Sequence, residues 1–308
     1  MENAGGIDLT QSFAPFYWGF IISLLLAGIT IVQAYIYFPS RDRFLVRFTA
    51  GAMLFLDLAS SFMIAQSVYY YLIPHFGSLV PFSTVTPALL GDCFINATIT
   101  FISQTYFVYQ LYTVNRLGKY RWLVLGSIGS CAALSFASGI ACVTTMRIFD
   151  HGVFSVDRNK TFSIFFGISK GFGALTDVLA TIAMCIYLTT SKTGIRETTN
   201  LLNRLMRFVI HRGALVTLIQ VILLVAFFAG PHKLYWIPFH LNVTKLYTNT
   251  FFAMLNARKN LAERPPTFHS VGYNSEQYDL RGMKMEEGGE LPQAPMPTIT
   301  KTVETSAI

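Results

Sequence analysis

Five formal charges stand inside long apolar runs of this chain: Asp57, Asp92, Lys170, Asp177 and Lys245. A charge near the centre of a membrane helix costs roughly 2.5–3.5 kcal/mol, so it is kept where it pairs, lines a wet cavity or meets a ligand. Lys245 is the sharpest case. It stands near the middle of WIPFHLNVTKLYTNTFFAMLN, residues 236–256, and Ala257-Arg258-Lys259 follow at once. At ~1.5 Å per residue that run is long enough to cross a bilayer. Counted from the ends of their runs, Lys170 and Lys245 lie roughly 12–14 Å below the outer edge of a core about 30 Å thick, and Asp57 lies roughly 14 Å above the inner edge. Asp92 falls near the outer mouth. These depths predict a cross-helix pair of Asp57 with Lys245, and a second pair of Lys170 with Asp92 or Asp177. Such pairs either neutralise each other and fix helix register, or line a cavity open to a ligand, an ion or a proton. The residues alone do not rank the two.

A polar stripe accompanies the charges. Asn96, Ser103 and Gln110 follow Asp92 at spacings that return to one face of a helix with 3.6 residues per turn. We read the stripe as half of a central polar seam, with Thr248 and Asn249 on the Lys245 face as the other half. Such seams serve first as interhelical glue and second as pockets. Enzyme signatures are absent from the sequence: there is no HExxH, GxSxG, Walker loop or DxDxDG segment, and the six histidines show no metal-ligand spacing. No catalytic residue, cofactor or metal is therefore expected. Cys93, Cys131, Cys142 and Cys185 all lie in apolar runs, where free Cys behaves as a small hydrophobe. Cys93 and Cys142 sit toward the outer ends of their runs, yet nothing in their spacing demands a disulfide. Of three Asn-x-Thr sequons, those at Asn96 and Asn242 fall at or within apolar runs and that at Asn159 abuts one.

The elements that position these residues are set by composition. Of 308 residues, 53% are hydrophobic and only 13% charged, with a mean hydropathy of +0.47. Soluble domains carry about a quarter charged residues, so the lipid bilayer is the expected partner. Seven apolar segments lie near 16–38, 48–72, 88–114, 122–146, 162–189, 208–230 and 236–256. The expected fold is an all-α, seven-helix integral membrane bundle. Basic residues set its orientation. One set of connectors holds fourteen: Arg41, Arg43, Arg47, Arg116, Lys119, Arg121, Lys192, Arg196, Arg204, Arg207, Arg212, Arg258, Lys259 and Arg264. The opposite set holds four, Arg147, Arg158, Lys160 and Lys233. Fourteen against four puts the N-terminus outside and the C-terminus in the cytoplasm. It also assigns the net charge of +7 to topology rather than to nucleic acid. Aromatic clusters at 16–18, 69–71 and 235–236 outside, and Tyr109, Tyr112, Tyr120 and Trp122 inside, fit the two interfaces.

The domain reading is an extracellular tail over 1–15, a seven-span domain over 16–256, a short juxtamembrane amphipathic segment over 257–264, and a disordered cytoplasmic tail over 265–308. The tail is rich in Pro, Gly, Glu, Ser and Thr and has no apolar period. The start shows no basic region before its first apolar run, so that span is expected to be an uncleaved anchor. Small residues Gly126, Ser130, Ser135 and Gly139 mark a face for close helix packing within the bundle.

Five blocks in order carry a family likeness: 29–38 (ITIVQAYIYF); Leu56-Asp57 with 69–72 (YYYL); Asp177-Val178-Leu179; 191–194 (SKTG) with 202–206 (LNRLM); and Lys245-Leu246-Tyr247 with 255–259 (LNARK). Over residues 16–264 the chain resembles a family of basidiomycete fungal multi-pass membrane proteins known by a domain of unknown function. That resemblance implies a membrane bundle and brings no activity. The marks of G-protein-coupled receptors are missing, since Asn115-Arg116-Leu117 replaces their acidic-Arg-Tyr triplet and no Asn-Pro-x-x-Tyr occurs in the last run. Microbial rhodopsins place a retinal-bearing lysine in the seventh helix, but Leu241 stands where they carry an aspartate four residues earlier. The reading is a receptor or sensor of the plasma membrane, the default location. A small ligand would reach the Asp92, Lys170 and Lys245 region from the outer face, and a cytoplasmic partner would meet the 191–207 connector and the tail. An ion or proton pathway through the intramembrane Asp and Lys groups is the alternative, and a retinal-type chromophore on Lys245 is a remote one.

Overall fold

The structure is a computed structural model that describes residues 9–40, 42–74, 85–113, 121–148, 159–190, 196–230 and 234–262. Most of the N-terminal tail, residues 263–264 of the juxtamembrane segment and the whole of the expected tail over 265–308 lie outside the described residues. Seven helices follow one another: α1 Leu9–Tyr37, α2 Phe44–Leu72, α3 Pro87–Thr113, α4 Arg121–Ile148, α5 Lys160–Thr190, α6 Arg196–Ala229 and α7 Ile237–Ala262. Local chemistry sets several starts. Pro87 opens α3 where its missing N–H costs nothing, and the Thr86 hydroxyl accepts a bond from the Leu89 N–H at 3.3 Å. Asn159 does the same for α5, its Oδ1 accepting from the Thr161 N–H at 2.8 Å.

One boundary differs from the sequence reading. Most of the basic stretch 191–207 is helix rather than connector, because α6 already begins at Arg196. Leu201, Leu202, Leu205 and Met206 recur there at three- and four-residue steps, a helical period that extends the apolar run toward the N-terminal end of α6. At the other end of the chain, Ala257–Ala262 continue α7 without a break.

Five helices are long and apolar enough to cross a membrane, over Ala14–Tyr37, Phe44–Tyr71, Trp122–Ile148, Lys160–Thr190 and Met206–Ala229. They belong to α1, α2, α4, α5 and α6, and they turn large apolar side chains outward, among them Leu25, Phe55, Phe62, Leu123 and Val225. Among the described residues the remaining two, α3 and α7, bury more polar side chains than any other helix, including Asp92, Asn96, Gln104, Asn242, Lys245 and Asn249, and their surroundings explain why. Each helix packs on the next, α1 closes the ring against α7, and α3 also touches α5 and α7, while α7 touches α2. Every α7 side chain described is buried or half-buried. A helix enclosed by protein can be polar where a helix facing lipid cannot.

The α1–α7 contact has a regular lock. Asn242, Asn249 and Asn256 donate their side-chain amides to the carbonyls of Gly19, Leu26 and Gln33 at 3.1, 2.9 and 2.9 Å. Donors and acceptors both recur every seven residues, so two parallel helices keep one register along their length. The helices approach closely at Gly19, where an added Cβ would stand 2.8 Å from the Pro238 Cα. On the opposite side of the bundle, Ser135 and Ser169 exchange hydroxyl-to-carbonyl bonds between α4 and α5 at 2.7 and 3.0 Å. Of the small-residue face on α4, a Cβ added at Gly139 would stand 3.1 Å from the Ala97 Cβ and 3.2 Å from the Ser169 hydroxyl, whereas one at Gly126 would meet nothing within 4 Å among the described residues.

Candidate functional site

The interior charges of α2, α3, α5 and α7 fall into three separate groups. In the first, Lys245 Nζ stands 3.1 Å from Asp57 Oδ1, and both side chains are fully buried. The ammonium also donates to the Asp57 carbonyl at 2.6 Å and to the Ser61 hydroxyl at 2.7 Å. Two hydrogen bonds and one ion pair thus surround its three N–H groups, while neither Asp57 carboxylate oxygen accepts a bond of hydrogen-bond geometry. One turn along α2, Ser60 donates to Asp92 Oδ1 at 2.6 Å. Asp92, in the second turn of α3, is fully buried.

The second group centres on Lys170. Its Nζ donates to Asn96 Oδ1 at 2.7 Å, while the Asn96 amide donates to the His240 carbonyl at 3.1 Å and the Thr244 hydroxyl at 3.3 Å. The expected pairing of Lys170 with Asp92 or Asp177 is not found. The ion pairs among the described residues are Asp57–Lys245 and the half-exposed Asp42–Arg258. Asp92 is taken by Ser60, and Asp177 is held in the third group, which leaves Lys170 with a neutral partner. Lys170 also lines two small cavities. One, of about 10 Å³, reaches Gln104, Ser135 and Gln220. The other, of about 30 Å³, reaches Cys93, Cys142, Phe162, Phe166, Trp236 and His240. All four cysteines are free thiols, and Cys93 Sγ lies 3.5 Å from His240 Nε2.

In the third group the Tyr247 hydroxyl donates to Asp177 Oδ2 at 2.5 Å and is itself approached by the Gln220 amide, which also donates to Asp177 at 3.2 Å. This is a neutral cage around a carboxylate. Beside it lies Arg212, counted in the sequence with the basic connector but buried within α6. Its guanidinium donates to the Ser103 hydroxyl at 2.5 Å and covers the Phe107 ring at 3.6 Å from the centroid. Arg212, Gln220, Tyr247 and His240 are the interior residues that the sequence reading missed. For Arg212 the signal was present, since it stands inside the apolar run Met206–Ala229.

Residues 173–260 match the model of a family of unknown function, DUF6534. No curated protein and no solved structure matches the chain. The DUF6534 stretch begins in α5 and ends in α7, so it takes in the whole third group and Lys245. It leaves out Asp57, Asp92, Asn96 and Lys170.

The polar seam is divided accordingly. Asn96 belongs with Lys170, and Ser103 with Arg212. Gln110 donates to the Tyr106 hydroxyl at 3.0 Å. Thr248 is fully buried and bonds back to the Thr244 carbonyl at 3.1 Å, while Asn249 faces α1. Gln110 and Tyr106 border the largest described cavity, about 420 Å³, at the end of the bundle where α3, α5 and α7 finish. Met184, Tyr187, Val209, Met254 and Leu255 give it apolar walls. At its rim Arg258 and Tyr37 both donate to Asp42 Oδ2, at 2.7 and 3.0 Å. None of the described cavities is lined by Lys245.

Proposed function

We propose that this chain is a seven-helix integral membrane sensor of the plasma membrane, with its N-terminus outside and its C-terminus in the cytoplasm. The fungal origin suggested by the five sequence blocks fits that reading. All seven helices cross the bilayer, α3 and α7 doing so with more protein neighbours than the others, α3 against α2, α4, α5 and α7 and α7 against α1, α2, α3 and α6. The single observation that supports the sensor reading is the reach of α7. At its start Trp236 and His240 border the small crevice beside Lys170, and at its end Met254, Leu255 and Arg258 border the large cavity. Between them Lys245, Tyr247 and Asn249 bond α7 to α2, α5 and α1. A ligand that favours one placement of α7 therefore alters both ends, and only such differential binding carries a signal. The large cavity, with the basic start of α6, receives the cytoplasmic partner.

The ion or proton pathway is the second reading, favoured by the succession of buried ionisable groups Asp92, Asp57, Lys245 and Asp177. The chromophore alternative draws no support, since Lys245 Nζ is enclosed by Asp57 and Ser61.

The test uses a fluorescent thiol label at Thr113→Cys, on the rim of the large cavity, in a background with the four native cysteines replaced. Changing the far crevice by Trp236→Leu or His240→Ala is expected to shift the label's emission, and an unchanged emission in folded protein contradicts the sensor reading. Vesicles loaded with a pH dye are expected to show no potential-driven proton flux. A flux lost in Asp57→Asn selects the pathway instead.

A further inference from the structure

The two interior lysines are provided for differently, and the difference identifies a binding site. Lys170 stands ten residues into α5, ~15 Å along the helix, where an ammonium needs compensation. One of its three donors reaches Asn96, and no second acceptor lies within hydrogen-bonding distance among the described residues. Asn96 itself is fully engaged with His240 and Thr244. Lys170 lines two cavities, one shared with Gln104, Ser135 and Gln220 and the other with Phe162, Phe166 and His240.

The approach to the ammonium is apolar and directional. Phe162, Phe166 and Lys170 follow at four-residue steps along one face of α5, and Met146 and Val143 of α4 line the same cavity. Both Phe162 and Phe166 are buried, and Phe166 stacks on Phe227 at 4.2 Å between centroids. A row of apolar groups ending in a cation with no described carboxylate within 4 Å is complementary to one ligand chemistry. We propose that this crevice binds a small amphipathic monocarboxylate, its carboxylate on Lys170 and its apolar body along Phe166 and Phe162.

The volume sets the size. About 30 Å³ has room for roughly two waters, the space of a carboxylate's two oxygens, so the crevice must widen between Phe162 and Phe166 to admit the body toward the end where α5 and α7 begin. A phosphate or sulfate ester would need further donors than Lys170 and the His240 ring supply, whereas a carboxylate is satisfied by the two free N–H groups. The inference rests on the sensor reading for what the ligand does, and on the crevice alone for what the ligand is.

The experiment is a thermal-shift titration of the detergent-purified full chain with benzoate and octanoate, against benzamide and octanamide as neutral isosteres. The acids are expected to raise the melting temperature saturably, by about 5 °C at a hundredfold excess over Kd, and the amides to leave it unchanged. Lys170→Met is expected to weaken acid binding at least tenfold while Lys170→Arg retains it. Amides as effective as acids, or full binding to Lys170→Met, overturns the proposal, as does the absence of any acid-specific shift in unmodified protein. Saturation by benzoate points to a soluble acid. Saturation by octanoate and longer acids alone points to a fatty acid drawn from the bilayer, with the same carboxylate on Lys170. Binding that leaves the Thr113→Cys label unchanged sinks the sensor reading and leaves this inference standing.

Discussion

Lys245 and Lys170 stand on neighbouring parts of the same interior, yet one is closed and the other open. Around Lys245, the α2–α7 contact supplies a carboxylate, a carbonyl and a hydroxyl, and no described cavity touches the ammonium. Around Lys170, the α3–α5–α7 contact supplies one amide oxygen and leaves two cavities. The difference teaches how an interior charge is to be interpreted, Lys245 being fully buried and Lys170 half-buried. A charge whose donors are all matched by its own chain fixes register, and a charge left with a neutral partner beside empty space is matched by something that arrives.

The comparison can be broken most forcefully at Lys245. Lys245→Met strands Asp57 in the interior, and losing one partner of a buried pair is expected to cost about 3–5 kcal/mol. Reversible unfolding in mixed micelles measures it, and a loss below about 1 kcal/mol would make the pair as dispensable as a surface one. The neutral cage in the third group gives an intermediate case. Tyr247→Phe removes the hydroxyl that joins Asp177 to Gln220 and is expected to cost about 1–3 kcal/mol by the same measurement. The asparagine lock between α1 and α7 is made of single interhelical bonds, which average about 0.6 kcal/mol in membranes. Asn249→Leu should therefore cost under about 1 kcal/mol, and a much larger loss would move the main register constraint from the charge pair to the lock. Lys170→Met is expected to be the mildest change, neutral or slightly stabilising in ligand-free protein, because it removes a desolvated cation and one bond to Asn96.

Much of this architecture is legible in the sequence. Apolar run lengths mark the helices, and opposite charges at matching depth suffice to put Asp57 beside Lys245. Depth alone does not supply the direction in which a side chain points around its helix, which is why Lys170 meets Asn96 rather than a carboxylate. Arg212 was hidden by its position near a basic connector, where topology accounts for any arginine. The lock was readable and unread: Asn242, Asn249 and Asn256 stand at strict seven-residue intervals, but asparagines in an otherwise polar run draw less notice than charges. The length of α6 was obscured by the Lys and Arg residues that made 191–207 look like a loop. The cavities have no signature in a sequence, because they are set by which side chains meet across helices.

The account depends most on the division between the closed and the open lysine, and two double-mutant cycles in one detergent measure it directly. One cycle combines Lys245→Met with Asp57→Asn, and the other combines Lys170→Met with Asn96→Leu. The predicted coupling is about 3 kcal/mol or more for the first, with the double mutant recovering most of the loss, and under about 1 kcal/mol for the second. Equal couplings, or a larger one at Lys170, would contradict the account and make both lysines parts of the same structural framework.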